Sequence, residues 1–181
     1  MKDKGDLLII TGKRNIGKTN ACIKLVNYFK TRNLQISGII SLGLYENGRK
    51  VGILAKDIRT GEKKKLAVYY QGWDEEEPGR IWKFDDETLI WGNRVLAESI
   101  PTDILIIDEL GYLEFEKDQG WIEGFNAIDE GKYLIAFIVV RNELLPIAKK
   151  KWERAKIFNI PKEEENLLAY IDQFVDLSGK K

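Results

Sequence analysis

Gly12, Lys13, Arg14, Asn15, Ile16, Gly17, Lys18 and Thr19 form the pattern G-x-x-x-x-G-K-[ST]. Each fixed type in it has a chemical use. Glycines permit backbone angles that turn consecutive N–H groups inward, a nest suited to phosphate oxygens. A helix opening near Gly17 would add its positive dipole end. The Lys18 ammonium can then reach the outer phosphates, and the Thr19 hydroxyl is suited to a Mg²⁺ ion. The nucleotide-binding set expected from this phosphate-binding loop (P-loop) is Gly12, Lys13, Arg14, Asn15, Ile16, Gly17, Lys18, Thr19 and Asn20.

A second constellation lies downstream. The apolar run Ile104, Leu105, Ile106, Ile107 closes on Asp108 and Glu109. After a P-loop, an Asp at such a strand end is expected to hold the metal with Thr19, and the adjacent Glu to orient or deprotonate an attacking water. Lys18 and Glu109 are therefore the expected catalytic residues, and Thr19 and Asp108 the metal residues. Charge on a transferring phosphoryl group calls for a further cation. Arg14, Arg49, Arg80, Arg94 and Arg141 are available, with Arg80 and Arg141 favoured because one borders an acidic stretch and the other ends an apolar strand. The chain has no Asn-Lys-x-Asp motif for reading guanine, so strict GTP specificity is not expected.

Composition agrees with this chemistry by what it removes. The 181 residues include no histidine and one cysteine, Cys22. Ser-His-Asp and Cys-His catalysis, His-ligated zinc, intrachain disulfides and CxxC redox pairs are all excluded. Phosphoryl transfer needs none of them. The charges balance, 29 basic against 29 acidic, so no nucleic-acid or anionic-membrane partner is indicated. The first six residues lack a signal-peptide pattern, and apolar runs such as 134–140 are too short to span a bilayer, so a soluble, cytoplasmic protein is expected.

These residues need elements to position them. The apolar run 7–10 predicts a buried strand leading into the P-loop, and Ile23, Val26 and Phe29 give helical spacing over 18–31. A strand at 36–41, turns at Asn47-Gly48 and Thr60-Gly61, and strands at 51–58, 66–70 and 81–84 make a β-rich middle, with an acidic loop over 72–79. Asp85, Asp86 and Glu87 open a helix through about Ser99. Strands at 104–107, 133–140 and 155–160 then alternate with helices at 119–130, 143–152 and 162–175. The expected architecture is an α/β P-loop three-layer sandwich with a largely parallel central sheet and a β-rich insertion after the second strand, forming one domain over residues 1–181. Cys22 and the tryptophans Trp73, Trp82, Trp91, Trp121 and Trp152 read as packed or half-buried, Asp74 to Glu77 as a solvated loop, and Lys149, Lys150 and Lys151 as the end of a helix.

Several stretches together resemble the small P-loop nucleoside-triphosphatase family first described from thermophiles, whose members are also regarded as nucleotide-kinase-like. They are Ile10-Thr11-Gly12 with Gly17-Lys18-Thr19; Gly38-Ile39-Ile40-Ser41; Asn47-Gly48-Arg49-Lys50-Val51-Gly52-Ile53; Thr60-Gly61-Glu62 with Leu66-Ala67; and Glu165-Asn166-Leu167-Leu168. Ile107-Asp108-Glu109-Leu110-Gly111-Tyr112-Leu113-Glu114 is similar to the family's D-E-[IL]-G-x-[ML]-E signature. The resemblance implies slow, Mg²⁺-dependent hydrolysis of ATP, GTP and other nucleoside triphosphates with little base selectivity. It implies structural roles for Gly111 and Glu114. The chain departs from the family at Gly43-Leu44-Tyr45, where a Glu-Val-Arg-like segment is usual.

Three functions are compatible with these residues. The leading one is a nucleoside-triphosphatase. A nucleotide or small-molecule kinase would turn Asp108 or Glu109 toward an acceptor hydroxyl, and a nucleotide-binding adaptor would serve a protein partner with little hydrolysis.

Overall fold

The computed structural model describes residues 4–69, 82–160 and 167–174. Eight strands join in one sheet: β1 (Asp6–Thr11), β2 (Ile36–Glu46), β3 (Arg49–Asp57), β4 (Lys63–Tyr69), β5 (Trp82–Phe84), β6 (Ile104–Leu110), β7 (Ile135–Val140) and β8 (Lys156–Asn159), in the order β5-β4-β3-β2-β6-β7-β1-β8. The β2-β6, β6-β7, β7-β1 and β1-β8 pairs are parallel. The insertion, β3 to β5, adds antiparallel strands to the free side of β2. The fold is thus the expected α/β sandwich with a mostly parallel sheet.

Helices cover both faces. On one side α1 (Lys18–Lys30) and α6 (Leu167–Phe174) bury Cys22, Leu25, Phe29, Leu167 and Ile171 against Leu8, Ile10, Ile106 and Phe137. On the other, α2 (Asp86–Ala97), α4 (Ile122–Glu130) and α5 (Leu145–Lys151) close over Leu7, Ile9, Leu105, Ile107 and Ile138. β7 is buried at every position, as a central parallel strand covered on both faces must be. Each fully buried Leu or Ile contributes about 2 kcal/mol of transfer free energy. Between β2 and β6 the backbones approach closely at Gly38, where an added Cβ would sit 1.9 Å from the carbonyl oxygen of Ile106. Only glycine fits there, which gives physical content to the Gly38-Ile39-Ile40-Ser41 stretch.

Several boundaries differ from those the sequence predicts. β2 runs to Glu46 rather than Ser41, because the hairpin partner β3 keeps pairing it after its pairing with β6 stops at Ile40 opposite Asp108. β6 continues through Asp108 and Glu109 to Leu110, so both carboxylates belong to the strand. A short helix, α3 (Tyr112–Lys117), follows it where none is expected. The helix expected over 119–130 starts at Ile122, and the one expected over 143–152 divides into a 3-10 turn, Asn142–Leu144, and α5, with a proline in its first turn. Trp121 and Trp152 are buried and Trp82 and Trp91 half-buried, as expected; Trp73, the acidic loop over 72–79 and Glu165-Asn166 lie outside the described residues.

Candidate active site

The parallel strands β1, β2, β6, β7 and β8 point their C-terminal ends to one edge of the sheet, and the chemistry-bearing residues gather there. The P-loop leaves β1 after the buried Thr11 and enters α1 at Lys18. Gly12, Asn15 and Gly17 all have positive φ (152°, 61° and 105°), so the loop bends its amides inward within a few residues. Ile16 anchors the loop on the apolar cluster beneath α1. Helix α1 has no side chain capping its N-terminus and no acidic residue in its first turn. By contrast α2 has Asp85 accepting from the Thr88 N–H at 2.8 Å and two acids in its first turn. The uncapped amides of α1 suit an anionic ligand.

Lys18 folds across the loop, its Nζ donating to the carbonyl oxygens of Gly12 at 3.1 Å and Lys13 at 3.0 Å. Lys13, Arg14, Asn15 and Asn20 are exposed around it. The Thr19 hydroxyl hydrogen-bonds to the carboxylate of Asp108. Asp108 is 2% exposed, and burial pushes its pKa up to about 7. Bonds from Thr19 and from the Ser41 N–H (3.3 Å) and the charge of Lys18 pull it down, while Glu109 adds to the rise. Ser41 also donates its hydroxyl to the backbone carbonyl of Asp108. The Asp108-Glu109 peptide is cis. Glu109 accepts from Arg141 Nε at 2.5 Å. Next to Arg141, Asn142 receives a 2.8 Å hydrogen bond from the Thr11 hydroxyl. The turn after β7 thus touches both the strand that carries the P-loop and the strand that carries the carboxylates.

The structure brings together Lys18, Thr19, Asp108, Glu109 and Arg141, all expected from the sequence. Arg94 lies in the last turn of α2, which leads to the start of β6 at the opposite edge of the sheet. Arg80 lies outside the described residues. A hard-oxygen pair, the Thr19 hydroxyl and the Asp108 carboxylate, fits Mg²⁺, which takes few protein ligands and completes its shell with water and phosphate oxygens. A buried carboxylate whose charge is so disfavoured is the group a cation would relieve.

Three contributors escape the sequence reading. Ser41 holds Asp108 from the neighbouring strand. Asn142 ties the β7 turn to β1. Lys50, near the start of β3, feels the charges of Asp108, Glu109, Arg14 and Arg141 together. Partial loss of water around its ammonium lowers its pKa, the two carboxylates raise it and the two guanidinium groups lower it further. Lys50 already stands within the family-like stretch after Asn47-Gly48, but which charges act on it depends on how the chain folds.

Glu114 explains much of the D-E-L-G-Y-L-E stretch. It is buried at 5% exposure and accepts from the Gly111 N–H at 2.6 Å and the Trp121 N–H at 2.8 Å, bracing the chain directly after the two site carboxylates. Burial raises its pKa, and the two backbone bonds oppose the rise. Gly120 leaves room for it: a Cβ there would lie 2.1 Å from Glu114 Oε1. Glu114→Ala is expected to cost about 2–4 kcal/mol, because it strands two buried N–H groups and opens a void. Thermal unfolding should show a fall in Tm of roughly 5–10 °C.

A family model described as NTPase matches residues 7–171. The chain belongs to this NTPase family. Among its relatives is the nucleoside-triphosphatase THEP1 of Methanopyrus kandleri, 25% identical over 140 residues that cover 77% of this chain and 76% of that one. The THEP1 of Thermoplasma acidophilum is 25% identical over 164 residues, covering 89% and 90%. A solution structure of a human cancer-related nucleoside triphosphatase superposes with a TM-score of 0.73 at 19% identity, covering 98% of this chain and all of that one, and so shares the fold. The residues matched by the NTPase family model include the P-loop, the β-rich insertion and the carboxylate pair. Among the described residues no helix is long and apolar enough to cross a membrane.

Proposed function

We propose that the chain is a Mg²⁺-dependent hydrolase converting nucleoside triphosphates to diphosphates and phosphate, with broad base specificity and slow turnover. The observation that carries this reading is the paired placement of two carboxylates opposite the P-loop: Asp108 on Thr19 and Glu109 on Arg141. The loop amides and Lys18 bind and orient the phosphates. Thr19 and Asp108 would hold Mg²⁺, which when bound neutralises phosphate charge. Glu109 accepts the proton of a water attacking the γ-phosphorus in line. The bond from that phosphorus to the bridging oxygen breaks, and the diphosphate leaves. Arg141 is committed to Glu109, which orients the base but leaves less positive charge for the phosphoryl group, and slow turnover follows. Broad base specificity rests on the missing guanine-reading motif. A cytoplasmic location is part of the same reading.

ATP labelled in its γ-phosphate tests it. The label is expected in free phosphate, not on an acceptor such as a nucleoside monophosphate. Transfer exceeding hydrolysis would favour a kinase, and tight binding without turnover an adaptor. Glu109→Gln should lower kcat by about 10²–10⁴-fold, the usual contribution of a general base, with KM nearly unchanged. Steady-state phosphate release checks this.

A further inference from the structure

We propose that Thr11 and Asn142 are positioning residues for hydrolysis: the hydrogen bond between them locks the turn that carries Arg141, and through Arg141 it holds the Glu109 carboxylate at a fixed place relative to the P-loop. The inference rests on the hydrolase reading and deepens it, by naming what holds Arg141 on the base.

Strand order makes the tie possible. β7 lies between β1, which ends in the P-loop, and β6, which carries the carboxylates. Its last residue, Val140, pairs with Leu110 of β6, and the preceding Val139 pairs with Ile10 of β1. The chain leaving β7 therefore has the P-loop strand on one side and the carboxylate strand on the other. Arg141 is the first residue out, and its Nε donates to Glu109 at 2.5 Å. Asn142 is the second, and its Oδ1 accepts from the Thr11 hydroxyl at 2.8 Å. Two consecutive residues thus grip two different strands.

The two grips differ in strength. Thr11 is 1% exposed, and its carbonyl accepts from the Ile160 N–H at 2.9 Å, so the core and the chain after β8 fix it. The side chains of Arg141 and Glu109 are 48% and 27% exposed. A pair so open to water is held weakly by its own attraction, because screening and the entropy of a long side chain offset it. Its geometry has to come from the backbone. Val140 fixes Arg141 from one side; Asn142 and the buried Leu144, whose N–H returns to the Arg141 carbonyl at 3.0 Å, fix it from the other. The Asn142 bond refers Arg141 directly to Thr11, the last residue before Gly12. The loop that holds the phosphates and the base that acts on them then share one reference point. In-line attack depends on that distance, since a misplacement of about 1 Å can cost about 10²-fold in rate. The buried hydroxyls of Ser99 and Thr102, by contrast, donate to backbone carbonyls, as groups that complete the fold do.

The experiment compares wild type, Thr11→Val, Thr11→Ser, Asn142→Ala, Arg141→Ala, and Asn142→Ala combined with Arg141→Ala. It measures kcat, KM for ATP, and the affinities for ADP and for a non-hydrolysable ATP analogue. Thr11→Val keeps the shape and removes the donor; Asn142→Ala removes the acceptor from an exposed position. Both are expected to lower kcat by about 10- to 100-fold, with KM and both affinities within about twofold of wild type. Thr11→Ser, which keeps the hydroxyl, should stay within about threefold of wild type in kcat. Adding Asn142→Ala to Arg141→Ala should cost no more than about twofold further, because the two residues act in series. Unchanged kcat in Thr11→Val and Asn142→Ala would overturn the proposal. So would a rise in KM at constant kcat, a loss in Thr11→Ser equal to that in Thr11→Val, or multiplying losses in the combined variant. Absence of turnover in the wild type would overturn the hydrolase reading and this role with it, whereas wild-type turnover with unimpaired variants would overturn this role alone.

Discussion

Asp108→Asn is expected to raise thermal stability and abolish hydrolysis in the same protein. The carboxyl of Asp108 has a folded-state pKa of about 7 against an ordinary 3.8, with burial as the main cause. A folded pKa above the unfolded one means that the native state keeps a proton that the unfolded chain gives up. Stability therefore falls as pH rises from about 3.8 to 7, and above 7 the whole penalty is present. That penalty is on the order of 4 kcal/mol. Asparagine keeps the shape and removes the charge, although its amide turns a donor toward one of the two donors, Thr19 and the Ser41 N–H, that the carboxylate accepts. The net gain should be a Tm about 5 °C higher at pH 8 without metal, vanishing near pH 4. Scanning calorimetry at the two pH values checks it. With Mg²⁺ and nucleotide present the order should reverse, because only wild type is stabilised by the ligand. Instability concentrated at the residue that needs a cation is what a site serving function rather than folding would show.

Lys18→Ala is expected to have the largest effect on activity. Its ammonium closes the loop on the carbonyls of Gly12 and Lys13 and is the charge placed to move onto the outer phosphates. The bond to Gly12 is part-buried and the one to Lys13 exposed, and neither ties the loop to a distant segment, so the substitution should leave the fold intact, with Tm within about 2 °C of wild type. Hydrolysis should fall by at least about 10³-fold, since catalysis of phosphoryl transfer consists almost wholly of positioning and charge stabilisation. Calorimetric titration with ADP and the ATP analogue should show a greater loss for the triphosphate. A drop in Tm of more than about 5 °C would assign Lys18 a mainly structural role.

The parts of this site that are readable from the chain are those specified locally. Gly12 to Thr19 follow one another, so their spacing already contains the turn, the helix start and the ammonium. Asp108 and Glu109 are readable because they end an uninterrupted apolar run, and alternation of strands and helices announces the parallel sheet. What escaped depends on contacts between distant segments. Ser41 meets Asp108 across two strands far apart in sequence. Asn142 meets Thr11 across 131 residues of chain, which no pattern of hydrophobicity marks. Helix α3 is too short to show periodicity, and the structural role of Glu114 comes from the family resemblance alone until its partners, Gly111 and Trp121, are seen around it. The sequence pattern ends β6 short for a similar reason: two acidic residues look like a solvated strand end, but Ser41 on β2 and Arg141 after β7 hold them on either side.

Without histidine, the groups available to hydrolyse a triphosphate are backbone amides, the Lys18 ammonium, the Thr19 hydroxyl, two carboxylates and a divalent cation. The most direct measurement is phosphate release from Mg²⁺·ATP by wild type, Lys18→Ala and Glu109→Gln, purified side by side. Repeated turnover by wild type, with both variants reduced at least a hundredfold, is the predicted result. Equal release by all three would contradict it.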